Sequence, residues 1–163
     1  VFLDMSKAAG AGGNYAKPTL SVSCTADHIV VKSNTMISYK YVKMTPNPLV
    51  VDDETSIRDL LSKTLALAEY DVDVAPDGRS ALERMRLFGY DLLITDLKMP
   101  GMDGLTVIHE ARRLHSELPV IIITGFSTEA SAIEAANLGV AGYLTKPLKV
   151  PKMLAVAARA LGE

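Results

Sequence analysis

The chain has 163 residues, 48% of them apolar, which is enough for one ordinary domain with a real core plus an appendage and too little for two full domains. Its net charge of -2 divides into +3 over residues 1–47 and -5 over 48–163, and a modestly acidic domain without a basic stripe excludes direct nucleic-acid binding. One cysteine, Cys24, excludes an internal disulfide, and no Cys/His spacing makes a zinc site, so a reducing compartment, the cytoplasm, is expected.

No stretch approaches the roughly 20 apolar residues of a membrane span, and the start VFLDMSKAAGAGG lacks the charged-then-apolar layout of a secretory signal. The first residue is Val1 rather than Met, as in a processed chain or a fragment. Residues 8–14, AAGAGGN, read as a flexible stretch, and 19–24, 28–32 and 36–44 alternate as short strands do. These strands hold too little apolar mass to fold alone, so residues 1–47 are expected to be an appendage or linker. TPNP at 45–48 closes the segment, because Pro48 lacks the N–H that a central strand needs.

From 48 to 163 a different unit is expected, with strand and helix alternating five times. The apolar runs are LVV (49–51), VDVA (72–75), LLIT (92–95), VIIIT (120–124) and GYLT (142–145). Between and after them run helical periodicities: Ile57, Leu60, Leu61, Leu65 and Ala68; Ala81, Leu82, Met85 and Phe88; Leu105, Ile108 and Ala111; Ile133 and Ala136; Met153, Leu154, Ala157 and Leu161. Gly89 and Gly139 stand where helices should stop. Alternation of this kind predicts an α/β fold, a doubly wound parallel sheet with helices on both faces.

Ligands of such sheets bind beyond the carboxyl ends of the strands. Those ends carry Asp52, Asp53 and Glu54 after the first strand, Asp96 after the third, Thr124 after the fourth and Lys146 after the fifth; the second offers Asp77 beside Gly78, which reads as a turn. Each has an ordinary explanation by itself. Asp53 reads as a helix cap, Asp96 as the acid of an Asx turn before Pro100 and Gly101, Thr124 as a β-branched strand residue, Lys146 as a solvated loop lysine. Together they put carboxylates, a hydroxyl and an ammonium on one edge of the sheet. Clustered carboxylates raise one another's pKa unless a cation intervenes, and a hard divalent ion such as Mg²⁺ suits oxygen ligands. A carboxylate beside that ion is a nucleophile for phosphorus, with Lys146 and Thr124 as electrostatic and hydrogen-bonding partners.

LVVDDE, LLITDLKMPGMDG, VIIITG and GYLTKPL, in this order, resemble the motifs of the receiver domain of two-component response regulators, over residues 49 to about 162. The resemblance implies a flavodoxin-like five-stranded sheet of order 2-1-3-4-5 and Asp96 as phosphoacceptor. It implies Asp53 and Asp96 as direct Mg²⁺ ligands, Asp52 acting largely through metal-bound water, and the Lys98 backbone carbonyl completing the protein ligands. Thr124 and Tyr143 would be the switch pair, Lys98 and Phe126 would flank the phosphoryl group and tune its lifetime, and Lys146–Pro147 would be cis. The implied partners are a histidine kinase as phosphodonor and an output domain or protein at the face of the fourth helix, fifth strand and fifth helix, with phosphate-dependent dimerisation. No enzymatic turnover is implied beyond self-catalysed phosphotransfer and autodephosphorylation. VAGYLTKPL lacks an acidic pair before the aromatic residue and is similar to receivers of enhancer-binding activators or hybrid kinases.

A rival from another class is an aspartyl-phosphate phosphatase of the haloacid dehalogenase type, which resembles D-x-D at its nucleophile; here the second position is Lys98. LHSELP at 114–119 superficially resembles a phosphorylated histidine box, but His115 falls where the third helix runs out and reads as a solvated helix-end residue.

Overall fold

The computed structural model describes residues 20–25, 28–33, 42–43 and 45–162. The chain divides into two units, Val1–Met44 and Thr45–Glu163. In the first, β1 (Leu20–Thr25), β2 (His28–Ser33) and β3 (Val42–Lys43) form an antiparallel sheet of order β1-β2-β3, with register running from Leu20↔Ser33 to Thr25↔His28. The alternating runs at 19–24 and 28–32 are strands to within a residue. Of the run at 36–44, Val42–Lys43 is strand, while 36–41 and Met44 lie outside the described residues, as does AAGAGGN.

The second unit runs β4 (Pro48–Val51), α1 (Thr55–Leu67), β5 (Asp73–Ala75), α2 (Gly78–Leu87), β6 (Leu92–Thr95), α3 (Gly104–Leu114), β7 (Val120–Thr124), α4 (Glu129–Asn137), β8 (Gly142–Thr145) and α5 (Val150–Ala160). Its strands are all parallel in the order β5-β4-β6-β7-β8, which is second, first, third, fourth, fifth within the unit. Pro48 does not close the preceding segment. It opens the central strand β4 opposite Leu92, because the first residue of a strand is one place where a missing N–H is tolerated.

The sheet is buried on both sides, as continuous apolar strands require. Leu49, Val51, Leu93, Val120 and Ile122 pack with Leu82 and Met85 of α2 and Val107 and Ile108 of α3. Val50, Leu92, Ile94, Ile121 and Ile123 pack with Leu61 and Leu65 of α1 and Met153 and Ala157 of α5. Three helical periodicities depart from this. In α1 the inward stripe is Leu61, Thr64 and Leu65, leaving Leu60 41% exposed. In α4 the buried residue is Ala135, and Ile133, about 200° around the helix from it, is 54% exposed. Phe88 caps the end of α2 and is exposed.

α2, α3 and α4 start on short polar side chains. Asp77, read from the sequence as a turn, caps α2 by accepting from the Ser80 N–H at 2.8 Å, and Asp103 caps α3 by accepting from the Thr106 N–H at 2.8 Å. These backbone donors hold both carboxyls below their usual range. α1 and α5 differ: their N-caps, Glu54 and Lys149, make no side-chain cap bond. His115 is the exposed C-cap of α3. No helix among the described residues is long and apolar enough to cross a membrane.

A polar network ties the sheet edge to α2. Arg84 Nη1 donates to both oxygens of Asp73 at 2.8 Å, and the Tyr90 hydroxyl donates to Asp73 Oδ2 at 2.6 Å. Burial alone would raise the Asp73 carboxyl, but the Tyr90 hydroxyl, the Val74 N–H and Arg84 outweigh it and leave the pKa lowered. Burial and the Asp73 charge push Tyr90 up to about 12. The Asp73 contribution is therefore present above the unfolded carboxyl value of about 4 and lost as pH falls through the lower folded value; the Tyr90 contribution is present below about 10 and lost as pH rises through its folded value. Asp73→Asn is expected to destabilise the protein by about 1 kcal/mol at neutral pH, since Asp73 and Arg84 are partly solvated. Urea unfolding should show the gap between wild type and variant closing below about pH 3; a gap independent of pH refutes the assignment.

Candidate functional site

The carboxyl ends of β4, β6, β7 and β8 meet at one edge of the sheet, and parallel pairing sets what arrives there. Asp52 follows β4, with its N–H on Ala75 O at 3.3 Å, and Asp96 follows β6, with its N–H on Val51 O at 3.0 Å. Both acids thus continue the ladder one residue beyond the strands and stay buried, at 1% and 4% exposure. Thr124 ends β7 and is fully buried, and its backbone carbonyl accepts from the Lys146 N–H at 2.9 Å. The Lys146–Pro147 peptide bond is cis.

Lys146 joins these ends. Its Nζ lies 2.9 Å from Asp52 Oδ2, 2.8 Å from Asp96 Oδ2 and 2.8 Å from Glu54 Oε1. Burial would lower the ammonium pKa, but hydrogen bonds to Asp96, Glu54 and Asp52 outweigh it and hold the pKa well above the usual lysine value. Asp52 goes the other way from most paired acids. Burial pushes its carboxyl up, against the downward pull of Lys146 and the Glu54 N–H, so the fold resists a charge there.

The remaining lone pairs are also used. Asp52 Oδ1 accepts from the Glu54 N–H at 2.8 Å, and Asp96 Oδ1 accepts from the Lys98 N–H at 3.1 Å. Arg58 Nη1 donates to the Asp52 carbonyl at 2.6 Å and Nη2 to Thr55 Oγ1 at 3.0 Å, which fixes the turn into α1. The start of α1 therefore serves the site: Asp52 takes the amide, and Glu54 turns to Lys146 instead of capping the helix.

The stretch that follows Asp96 folds back on it. Gly101 has φ +82°, and the Gly104 N–H donates to Leu97 O at 2.9 Å. A Cβ on Gly104 would collide with the Asp96 carbonyl oxygen, so glycine is required for this approach.

Oxygens of Asp52, Glu54 and Asp96 lie within 4.8 Å of one another. Clustered hard oxygen donors, one carboxyl raised by burial, suit a divalent cation. Of the ligands expected from the sequence, Asp52 and Asp96 belong to this group, whereas Asp53 is exposed and outside it. Glu54 takes the third place, a residue adjacent to the acidic pair that the sequence reading left without a role. Thr124 Oγ1 accepts from the Phe126 N–H at 3.1 Å. Lys98 Nζ stands 4.8 Å from the centroid of the Phe126 ring, so these two side chains meet. Tyr143 is half-buried, its hydroxyl 3.0 Å from Ser131 Oγ and 3.3 Å from Ser127 Oγ; no periodicity or motif marks these two serines.

The family model described as the response regulator receiver domain matches residues 49–158. The chain is 38% identical over 113 residues to the transcriptional regulatory protein ZraR of Escherichia coli, covering 69% of this chain and 26% of that protein. It therefore spans about a quarter of that relative's length. Among solved structures, chemotaxis protein CheY4 of Vibrio cholerae superposes with a TM-score of 0.68 at 32% identity, covering 72% of this chain and 99% of that one. Response regulator protein TrrA of Thermotoga maritima, solved in complex with Mg(2+)-BeF, gives 0.66 at 32% identity, covering 72% and 100%. The buried acids at adjacent strand ends, the lysine that bridges them and the 2-1-3-4-5 sheet thus coincide with a match over most of the chain, which belongs to the response regulator receiver domain family.

Proposed function

We propose that the unit from residue 48 to 163 takes a phosphoryl group on Asp96 from a histidine kinase or a small phosphodonor, and that residues 1–47 are an appendage to it. The observation that carries this reading is the Lys146 ammonium within 2.9 Å of both Asp52 and Asp96. In the transfer a carboxylate oxygen of Asp96 forms the new P–O bond as the P–N bond of a phosphohistidine breaks and the imidazole leaves with the electron pair. Lys146 balances charge on the phosphoryl oxygens and Thr124 donates to one of them. Asp52, Asp53, Asp96 and the Lys98 carbonyl are the proposed holders of Mg²⁺, which supplies neutralisation of the clustered negative charge. Glu54, on Lys146 at 2.8 Å, is a further oxygen at that position.

No substrate turnover is proposed beyond self-catalysed transfer and loss of the phosphoryl group. A lysine at 98, where a dehalogenase-type phosphatase would carry its second acid, supports this. The cytoplasm is the proposed location, and the match to a transcriptional regulatory protein favours an enhancer-binding activator over a hybrid kinase as the parent of this unit. Acetyl phosphate is expected to label the wild-type chain, and a chain starting at Thr45, only when Mg²⁺ is present, with base-labile phosphate found by mass spectrometry. Equal labelling of Asp96→Asn, or of metal-free protein, refutes the reading.

Lys98 and Phe126 are proposed to flank the phosphoryl group and govern entry of the hydrolytic water. Their mutual contact supports this, since a cation over a ring face makes one cover of two side chains. Phe126→Ala should speed loss of the phosphoryl group by about 3- to 10-fold, a barrier change of about 1 kcal/mol; a rate equal to wild type removes the role.

The signal is proposed to leave by the face of α4, β8 and α5, to an output partner or a second copy. The residues between Thr124 and Tyr143 support this route, because the loop after Thr124 contributes Ser127 to the Tyr143 hydroxyl. A bias of about 1 to 3 kcal/mol on a two-state equilibrium changes partner affinity about 5- to 150-fold. Tyr143→Ala should leave Asp96 labelling intact and abolish phosphate-dependent association in analytical ultracentrifugation; association that persists places the output elsewhere.

A further inference from the structure

α4 is the least anchored helix of its unit. Nine residues are too few for a helix to persist alone in water, and among them Ala135 alone is buried, where α3 buries Gly104, Val107, Ile108 and Ala111. An alanine removes little apolar area from water, so packing contributes little to where α4 lies.

Its two ends are held by polar groups instead. At the start, Thr128 Oγ1 accepts from the Ser131 N–H at 3.1 Å and Ser131 Oγ accepts from the Thr128 N–H at 3.0 Å, a reciprocal cap that also reaches the Tyr143 hydroxyl. At the end, the chain turns through Gly139 at φ +62°, with Gly139 N–H on Ala136 O and Val140 N–H on Ala135 O. That closure leaves out the carbonyls of Leu138 and Gly139. Arg112, from α3, takes both: Nη1 donates to Leu138 O, and Nη2 to Gly139 O at 3.1 Å. A cation is also what a helix C-terminus favours.

This grip has a cost. Arg112 Nε is buried with no hydrogen-bond partner among the described residues, and an unsatisfied buried donor is destabilising. An apolar residue here, one turn from the buried Ile108, would avoid that cost, so the arginine acts on the placement of α4 more than on stability. α3 begins at Gly104, bonded to Leu97 beside Asp96, while α4 follows the loop that leaves Thr124. Arg112 therefore clamps the helix that starts at the acidic site to the helix that carries the tyrosine contact.

We propose that Arg112 is a positioning residue whose two-carbonyl grip holds α4, and through Ser131 the Tyr143 hydroxyl, in the position seen here. Loosening it favours the alternative position selected by a phosphoryl group on Asp96. The inference rests on Asp96 as the phosphoacceptor.

The test uses the full chain with Arg112→Lys, which keeps the charge but loses the forked pair of donors, and Arg112→Gln. Amide exchange of residues 132–140 is expected to quicken about tenfold in both, with α1, α2 and α5 unchanged. Fluorine NMR titration with beryllofluoride and Mg²⁺ should show binding about fivefold tighter than wild type, because the variants already lean toward the selected position. Faster exchange throughout the chain with unchanged or weaker beryllofluoride binding means a merely structural arginine and overturns the proposal, as does unchanged exchange in α4. Wild-type protein that binds no beryllofluoride, or binds it equally as Asp96→Asn, refutes the phosphoacceptor reading instead, and the exchange comparison then decides the role of Arg112 alone.

Discussion

The ammonium of Lys146 is held by carboxylates that the chain delivers from two distant places, Asp52 and Glu54 after β4 and Asp96 after β6. Much of the carboxyl edge of the sheet follows from that contact. Three acidic groups within a few ångströms, two of them almost fully removed from water, repel one another unless positive charge lies between them. The lysine supplies it from β8, at the far end of the sheet, through a side chain that crosses above β7. The five-stranded order is thus an electrostatic arrangement as much as a hydrophobic one.

That arrangement has local consequences. α1 begins without a side-chain cap because its N-cap, Glu54, is turned to Lys146, and Arg58 compensates by holding the Asp52 carbonyl. α2 and α3, which begin at other points of the same edge, keep their aspartate caps. The start of α1 gives up local stability to the shared cluster while α2 and α3 retain their caps, a pattern expected where chemistry competes with folding.

The sequence made the architecture legible because five apolar runs of strand length alternate with helical periodicities, and because polar residues stand immediately after those runs. Parallel pairing then forces strand ends to one edge, so Asp52, Asp96, Thr124 and Lys146 could be grouped before any coordinates. What was not legible depends on side-chain direction. That Glu54 reaches Lys146 depends on the turn into α1, whose dihedral angles leave no trace in the residue pattern. The inward face of α4 was misread for a related reason: alanines occur on several sides of it, so the largest side chain, Ile133, drew attention while Ala135 does the packing. Nothing within its own helix signals that Arg112 reaches carbonyls 26 and 27 residues away. Pro48 misled because the rule against proline in central strands has an exception at the first position.

The contact of Gly104 with the backbone of Asp96 bears on how this loop can vary. The segment from Leu97 to Asp103 leaves the end of β6 and must return so closely that its last step has no room for a side chain, with the Gly104 amide bonded to Leu97. Its span is therefore set by the fixed separation of β6 from the first turn of α3. Residues within it, such as the exposed Pro100, can be exchanged among types that suit the same turns. An insertion or deletion of even one residue would displace the start of α3 relative to the strand, and with it Val107 and Ile108 in the core. The loop tolerates changes of identity but not of length, which makes it a fixed-length spacer joining the acidic rim to the interior packing.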